Sequence, residues 1–398
     1  MTEERKTPKL RFPDFTDPWE LRRLNDCCGQ LSATLNPQDT PDTVFNEYSM
    51  PAFDNGETPD AVTGKSMNSA RKIIDRPCLL INKLNVRKKR IWNIKKPEKN
   101  AVSSTEFVPV YSNDIDLSFL KYSVLRDPFT SYLEDCSSGS SNSQKRVTPE
   151  VIMTAVLAIP SKKEQIKIGS LLENYDALIT LYERKCEDAK TLKKAMLQKM
   201  FPKEGETIPE IRFPGFTGPW GQRRLGDVFK EYSDKGHPEL PALTILQGGG
   251  TVLRDESDRK LQYDKANLSN YKKVNTGDFI VHLRSFEGGL EIATNTGVIS
   301  PAYHTFHGEN TDSQFFYSYF RSKKFIDSDL KPHVYGIRDG RSIDIEGMKT
   351  IKIPFPPYKE QVKIGDFINS INSAIVLYQR KCDELTEMKK GLLQQMFV

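Results

Sequence analysis

The sequence predicts an α+β protein: two mixed α/β domains joined by two long antiparallel helices that form a coiled coil, with internal pseudo-two-fold symmetry. Three observations lead there. Leu10-Arg11-Phe12-Pro13-Asp14-Phe15-Thr16-Asp17-Pro18-Trp19 returns 201 residues later as Ile211-Arg212-Phe213-Pro214-Gly215-Phe216-Thr217-Gly218-Pro219-Trp220. Lys163-Glu164-Gln165-Ile166-Lys167-Ile168-Gly169 returns 196 residues later as Lys359-Glu360-Gln361-Val362-Lys363-Ile364-Gly365. Each copy of that second block opens a long proline-free stretch with apolar residues at spacings of three and four, the period of an amphipathic helix.

The elements follow in chain order. Residues 1–158 form the first mixed domain, 159–201 the first spacer helix, 202–355 a linker and the second domain, and 356–398 the second spacer helix. In the first domain, Leu79–Asn85 and Ala101–Phe107 are short apolar runs bounded by turn formers, and read as strands. Phe279–Arg284 and Gly297–Tyr303 resemble them in the second domain. Asp116–Leu125 and Ser313–Arg321 read as short helices. Trp19 and Trp220 are expected to be packing residues that dock each domain on the helices.

The first spacer helix carries Ile168, Leu171, Leu172, Tyr175, Leu178, Ile179, Tyr182, Cys186, Ala189, Leu192, Met196 and Met200 in one stripe. The second carries Ile364, Phe367, Ile368, Ile371, Ala374, Ile375, Tyr378, Cys382, Leu385, Met388, Leu392 and Met396. Such stripes suit a coiled-coil seam, and each helix would be about 57 Å long. Two equivalent helices related by a perpendicular two-fold run antiparallel. Met200-Phe201 leads into the second Arg-Phe-Pro block as Met396-Phe397 would lead into the first, so the two chain ends are expected to lie close together.

Composition bounds the function. The 398 residues are 37% hydrophobic and 28% charged, with a net charge of +5. That mild basicity is compatible with a polyanionic partner without demanding one. No apolar run is long enough to span a membrane, and the N-terminus lacks a secretory apolar core. None of the six cysteines forms a C-x-x-C pair, and reduced thiols in a cytoplasm fit best.

Candidate binding residues fall in two places. Lys83–Lys99 holds Lys83, Arg87, Lys88, Lys89, Arg90, Lys95, Lys96 and Lys99 against one acid, Glu98, with Asn85 and Trp92 among them. Cations contact phosphates, and Asn and Arg also read base edges. A solvated loop has the same composition; the duplicated context weighs for a ligand. The second half offers Lys272, Lys273, His282, Arg284, His304, Tyr335, Arg338 and Arg341. Its segment Tyr335–Arg341 and the Ser/Gly-rich Ser137–Arg146, with Gln144, Lys145 and Arg146, sit at the same place in each half, before the last strand.

Signals of catalysis are set aside one by one. Gly64-Lys65-Ser66 lacks the first glycine of a phosphate-binding loop, since Pro59 stands there. Phe355-Pro356-Pro357-Tyr358 has Phe355 where an amino-methyltransferase needs Asn or Asp, and is read as a rigid helix entry. His304 and His307 lack companions for a metal site.

The order of domain, Lys-Glu-Gln helix, Arg-Phe-Pro linker, second domain and second helix resembles the DNA-specificity subunit of type I restriction–modification systems, over nearly the whole chain. Val102-Ser103-Ser104-Thr105-Glu106-Phe107, and Gly288-Gly289 with Val298–Tyr303, look like that family's recognition segments. The resemblance implies that the two mixed domains are target-recognition domains, and it adds Ser104 and Ser285 to the DNA-binding candidates. It further implies a non-catalytic subunit in the cytoplasm that binds double-stranded DNA, two methyltransferase subunits and two restriction/translocase subunits. S-adenosylmethionine, ATP and magnesium are then expected on the partners, with no cofactor or metal on this chain. Each domain would read a half-site in the major groove, the two about one turn, roughly 34 Å, apart. A coiled-coil adaptor that joins proteins without reading DNA remains the alternative.

Overall fold

A computed structural model of the chain describes residues 7–139, 144–256, 265–282, 284–336 and 342–398. The chain divides into two compact units, Met1–Tyr182 with Arg380–Val398, and Glu183–Gln379. The two long helices, Lys162–Lys199 and Tyr358–Gln395, each contribute a portion to both units.

In the first unit, Glu20–Arg23 pairs antiparallel with Val156–Ile159, bringing the start and end of the domain together. A four-stranded sheet has the spatial order Gly29–Gln30, Phe107–Tyr111, Cys78–Asn82, Ile91–Ile94. Its strand Cys78–Asn82 is buried at every position, as an apolar run covered on both faces must be. A five-stranded sheet adds Thr34–Leu35, Arg71–Ile73, Ala101–Ser104, Val44–Tyr48 and Asp60–Thr63 in that order, with one parallel pair, Val44–Tyr48 beside Ala101–Ser104. Leu117–Val124, capped by the Asp116 carboxylate on the Phe119 N–H at 2.9 Å, packs into the core.

The second unit repeats the plan. Gly221–Arg224 pairs with Lys352–Phe355. Its four-stranded sheet runs Phe229–Tyr232, His304–Gly308, Phe279–Val281, Glu291–Ile292, the same order of equivalent strands. Ser313–Phe320, capped by Asp312 at 2.7 Å, matches Leu117–Val124. The five-stranded sheet has no whole counterpart among the described residues. Two-stranded pairs stand there, Leu243–Leu246 with Gly250–Leu253 and Lys272–Val274 with Gly297–Ile299.

The repeated motifs prove to be one clamp used twice. Glu164, with no exposure, takes two hydrogen bonds from the Arg11 guanidinium, at 2.7 and 2.9 Å. Gln165 donates to the Pro160 carbonyl at 2.9 Å and accepts the Asp116 N–H at 2.8 Å. In the second unit Glu360 takes Arg212 at 2.8 and 2.7 Å, and Gln361 joins the Pro356 carbonyl at 2.8 Å to the Asp312 N–H at 3.0 Å. Each glutamine thus ties the end of a strand, the root of a long helix and the cap of a domain helix. The glycine four residues on explains itself. A Cβ on Gly169 would come within 2.9 Å of the Asp116 carboxylate, and one on Gly365 within 2.1 Å of Asp312.

Trp19 and Trp220 are the packing residues the sequence suggests. Trp19 meets Phe119 and Phe397 edge-on, and Trp220 meets Phe201 and Phe315 the same way. The Leu10 N–H donates to the Gln395 carbonyl at 2.9 Å, so the first repeat block and the end of the second helix do meet.

The helices pair antiparallel, because partner numbers fall on one as they rise on the other. Asp176 meets Lys389 in the first unit. In the second, the Lys185 ammonium lies over the Tyr378 ring at 5.8 Å, and the Cys186 thiol faces the Ile375 carbonyl at 3.9 Å. Cys186 and Cys382 are buried and are not joined in a disulfide. The seam is narrower than the sequence stripe: Leu178, Leu192 and Met388 stay exposed. One partner helix covers only part of a stripe three to four residues wide per two turns.

Candidate nucleic-acid interface

In the first unit three segments converge at the end of strand Cys78–Asn82. The buried Asn82 carboxamide donates to the Leu84 and Asn85 carbonyls at 2.9 and 3.1 Å and pins the turn that follows. Asn85 and Lys89 hold φ of 51° and 46°, a left-handed conformation that asparagine tolerates better than lysine. Val86 is the turn's buried foot. The Asn85 N–H donates to the Lys145 carbonyl at 3.0 Å, the Val147 N–H to the Lys83 carbonyl at 3.1 Å, and the Lys83 N–H to the Glu106 carbonyl at 2.8 Å. Lys83, Asn85, Arg87, Lys88, Lys145 and Arg146 therefore lie on neighbouring backbone. Gln144 is exposed beside them. Ser104, half-buried, accepts the Glu106 N–H at 3.3 Å.

The charges are not equally available. Arg90 is buried, and its guanidinium grips Asp54 at 2.7 and 2.6 Å, holding that carboxyl below its ordinary range. Arg87 pairs with Glu134, Lys89 with Asp127 at 2.6 Å, Lys95 with Glu173 at 2.8 Å, and Arg146 with Glu106 at 3.1 Å. The run that opposes eight cations to one acid in sequence is answered in space by acids from elsewhere. Trp92 turns inward against Tyr48, ring centroids 4.8 Å apart. Lys88 is exposed and has no ion-pair partner among the described residues.

In the second unit the corresponding strand, Phe279–Val281, leads to His282, Arg284 and Ser285. Ser285 is fully buried and its hydroxyl accepts the His282 N–H at 2.9 Å. The Arg284 N–H donates to His282 Nδ1 at 3.3 Å, which places the ring proton on Nε2, a buried nitrogen with no partner among the described residues. Burial first, then the positive Arg321 and Arg284, push the His282 imidazole down to about 4. Its ring stands edge-on to Tyr303, and the Tyr303 carbonyl accepts from Lys272 at 2.5 Å. Burial lowers the Lys272 ammonium as well.

Lys273 sits 3.9 Å from Asp234, and His304 Nδ1 lies 2.7 Å from Glu231, which also holds Lys349. Tyr335 is exposed, and its strand Val334–Tyr335 pairs antiparallel with Ser342–Ile343, which lies beside Ser285–Gly288. Arg338 and Arg341 lie outside the described residues. The structure thus brings Lys272 and His282 to Tyr303, with Arg284 and Ser285 bonded to His282 and the strand Ser342–Ile343, paired with Val334–Tyr335, alongside.

Sequence reasoning passed over the clamp residues Glu164, Gln165, Glu360 and Gln361 as binding groups, although their repetition was the signal. It also passed over Gln247, Glu291 and Arg321. Among the described residues no set of three or more His, Cys, Asp or Glu is placed to hold a metal, and no helix is long and apolar enough to cross a membrane.

Residues 218–387 match the family model of the type I restriction modification DNA specificity domain. The chain is 23% identical over 266 residues to the type I restriction enzyme MjaVIII specificity subunit of Methanocaldococcus jannaschii, across 62% of each chain. It is also 23% identical over 253 residues to the putative MjaX specificity subunit of the same organism, across 60% of this chain and 57% of that one. It spans about three fifths of the length of these curated relatives. Among solved structures, the S subunit of a type I restriction–modification system from M. genitalium superposes with a TM-score of 0.61 at 13% identity, over 98% of this chain and 99% of that one. That likeness is one of fold.

Proposed function

We propose that this chain, which resembles the specificity subunits of type I restriction–modification systems and carries their DNA specificity domain in its second half, is a non-catalytic reader of a bipartite, asymmetric double-stranded DNA site. One observation carries the reading. The same clamp and the same four-stranded sheet occur in both units, while the segments that follow the equivalent central strands, residues 83–88 and 282–287, are unlike in sequence. A duplicated mount with unlike loops suits a target with two unlike parts.

Each unit then reads one half-site. In the first, Lys88, Lys145 and Lys83 meet backbone phosphates, with Arg87 and Arg146 exchanging their carboxylates for phosphate oxygens. In the second, Arg284, Lys272 and Tyr335 take the corresponding roles. Base edges in the major groove are read by side chains carried on the rigid turns between these cations. The paired helices and the repeated clamp offer two equivalent docking surfaces for two methyltransferase subunits, to which two restriction/translocase subunits are added. S-adenosylmethionine, ATP and magnesium belong to those partners, and the complex works in the cytoplasm.

The test is the adenine methylome of the source cell with the chain present and deleted. Loss of one asymmetric two-part motif on deletion is expected. A methylome that does not change, together with no sequence preference in the purified chain, overturns the reading in favour of an adaptor.

A further inference from the structure

We propose that Gln247, at the tip of a hairpin in the second unit, is a base-reading residue, and that Lys193 of the same unit takes a DNA phosphate. The inference rests on the DNA-reading function proposed above and names a site there that the sequence did not suggest.

Gln247 sits between strands Leu243–Leu246 and Gly250–Leu253, exposed to solvent and without a hydrogen-bond partner among the described residues. Its surroundings are unusually well fixed for a polar tip. Glu291 has no exposure, yet its carboxylate accepts four donors: the Gly248 N–H at 2.5 Å, the Gly250 N–H at 3.3 Å, the Tyr317 hydroxyl at 2.9 Å and Arg321 Nη1 at 2.5 Å. Behind it the Thr251 N–H bonds the Thr294 hydroxyl and the Thr294 N–H bonds the Thr251 hydroxyl, each at 3.0 Å. A buried carboxylate is costly unless its lone pairs are filled. Here two of its bonds go to the backbone on the far side of Gln247, so the carboxylate sets the tip's position.

The glycines next to the tip keep its approach clear. Gly248 and Gly250 hold φ of 82° and 72°. A Cβ on Gly288 would come within 2.5 Å of the Gln247 amide nitrogen and 2.9 Å of Arg321. The turn Ser285–Gly288, which follows His282 and Arg284, therefore lies directly against the Gln247 side chain. A glutamine so placed presents one donor and one acceptor side by side, the pattern that matches adenine N7 and N6 in the major groove.

Lys193 lacks the partner that its counterpart in the first unit has. In the first unit Lys389 pairs with Asp176. Its counterpart by the 196-residue repeat is Lys193, and Asn372 stands at the position equivalent to Asp176. Lys193 is half-buried with no ion-pair partner among the described residues, and burial and then Arg321 lower its ammonium. The one acid bonded to Arg321, Glu291, is already saturated; the exposed acid on this rim is Glu287. A phosphate supplies the missing anion for Lys193.

The purified full-length chain and its Gln247→Ala and Lys193→Ala variants are each used to select bound duplexes from a random library, and the enriched sequences are compared. Gln247→Ala is expected to relax the preference at one position of one half-site by roughly five- to a hundredfold, with the other half-site unchanged. Lys193→Ala is expected to weaken binding equally for all sequences and to reduce the salt slope by about 1. If wild type enriches a two-part site and Gln247→Ala enriches the same site at every position, the inference is overturned and the DNA-reading function stands. If wild type enriches no sequence, the function itself is overturned. Unchanged fluorescence of Trp220 in both variants excludes misfolding as the cause of a change.

Discussion

Removing Arg212 should unlock the second unit from its helix root. In Arg212→Leu, the Glu360 carboxylate stays fully buried and keeps a single side-chain donor, the Trp220 indole N–H at 3.2 Å. Breaking a buried pair from one side costs about 3–5 kcal/mol, because the other charge is left uncompensated. For a domain of roughly 200 residues, with a urea slope of about 2–3 kcal/mol per molar, the midpoint should fall by about 1–2.5 M. Removing both partners, Arg212→Leu with Glu360→Leu, should cost much less, since apolar replacement of a whole buried pair is often close to neutral. The double variant leaves the Trp220 indole without an acceptor, a state Trp19 already occupies in the first unit. Fluorine NMR of protein carrying fluorotryptophan reads this directly. The Trp220 resonance reports the second unit, and Trp19 and Trp92 the first. A midpoint shift below about 0.3 M for Arg212→Leu, or a double variant as damaging as the sum of the singles, would refute the clamp's energetic role.

The same helix offers a matched pair of glycines. Gly365→Ala should destabilise the second unit because its Cβ meets Asp312, whereas Gly391→Ala, with nothing within 4 Å, should stabilise by up to about 1 kcal/mol through helix propensity; thermal midpoints moving in opposite directions are the expected result. His282 gives a pH signature. Its folded value of about 4 lies below the ordinary unfolded value of about 6.5, so the unfolded chain takes up the proton first. The stability this ring contributes is complete above about pH 6.5 and is lost as pH falls towards 4. The difference in urea midpoint between wild type and His282→Gln should follow that window, and a difference flat across it contradicts the assignment. In the first unit, Arg87→Ala with Lys88→Ala should weaken DNA binding and flatten its salt dependence by about 1–2. Arg90→Ala should instead appear as lost stability, because it unpairs Asp54.

Much of the architecture was legible because it is local or repeated. Helical period persists through Lys162–Lys199 and Tyr358–Gln395, and two copies of each motif make chance agreement improbable. Strand Cys78–Asn82 and its counterpart Phe279–Val281 stand out as apolar runs between turn formers. Of the five-stranded sheet only Ala101–Ser104 fell in a stretch read as a strand; its other strands are short and half-polar, and its parallel partner Val44–Tyr48 lies over fifty residues earlier. The state of each cation was equally hidden. Arg90 and Lys88 are near neighbours in a basic run, yet Arg90 is claimed by Asp54 from 36 residues away while Lys88 stays exposed. The clamp spans 153 residues between Arg11 and Glu164, so its repetition was visible but not its chemistry. Gln247 gave no signal in the sequence, because the buried carboxylate that fixes it lies more than forty residues further on.

The most direct test of the whole account is an exchange of recognition. Residues 221–355 are replaced by the equivalent domain of a related subunit, keeping both long helices and both Arg-Phe-Pro blocks, and the duplexes bound by each protein are selected from a random library. The account predicts that wild type enriches two unlike motifs at a fixed separation and that the exchange changes one of them while the other and the separation persist. A single continuous motif, or an exchange that alters both halves together, would contradict the claim that each unit reads its own half-site.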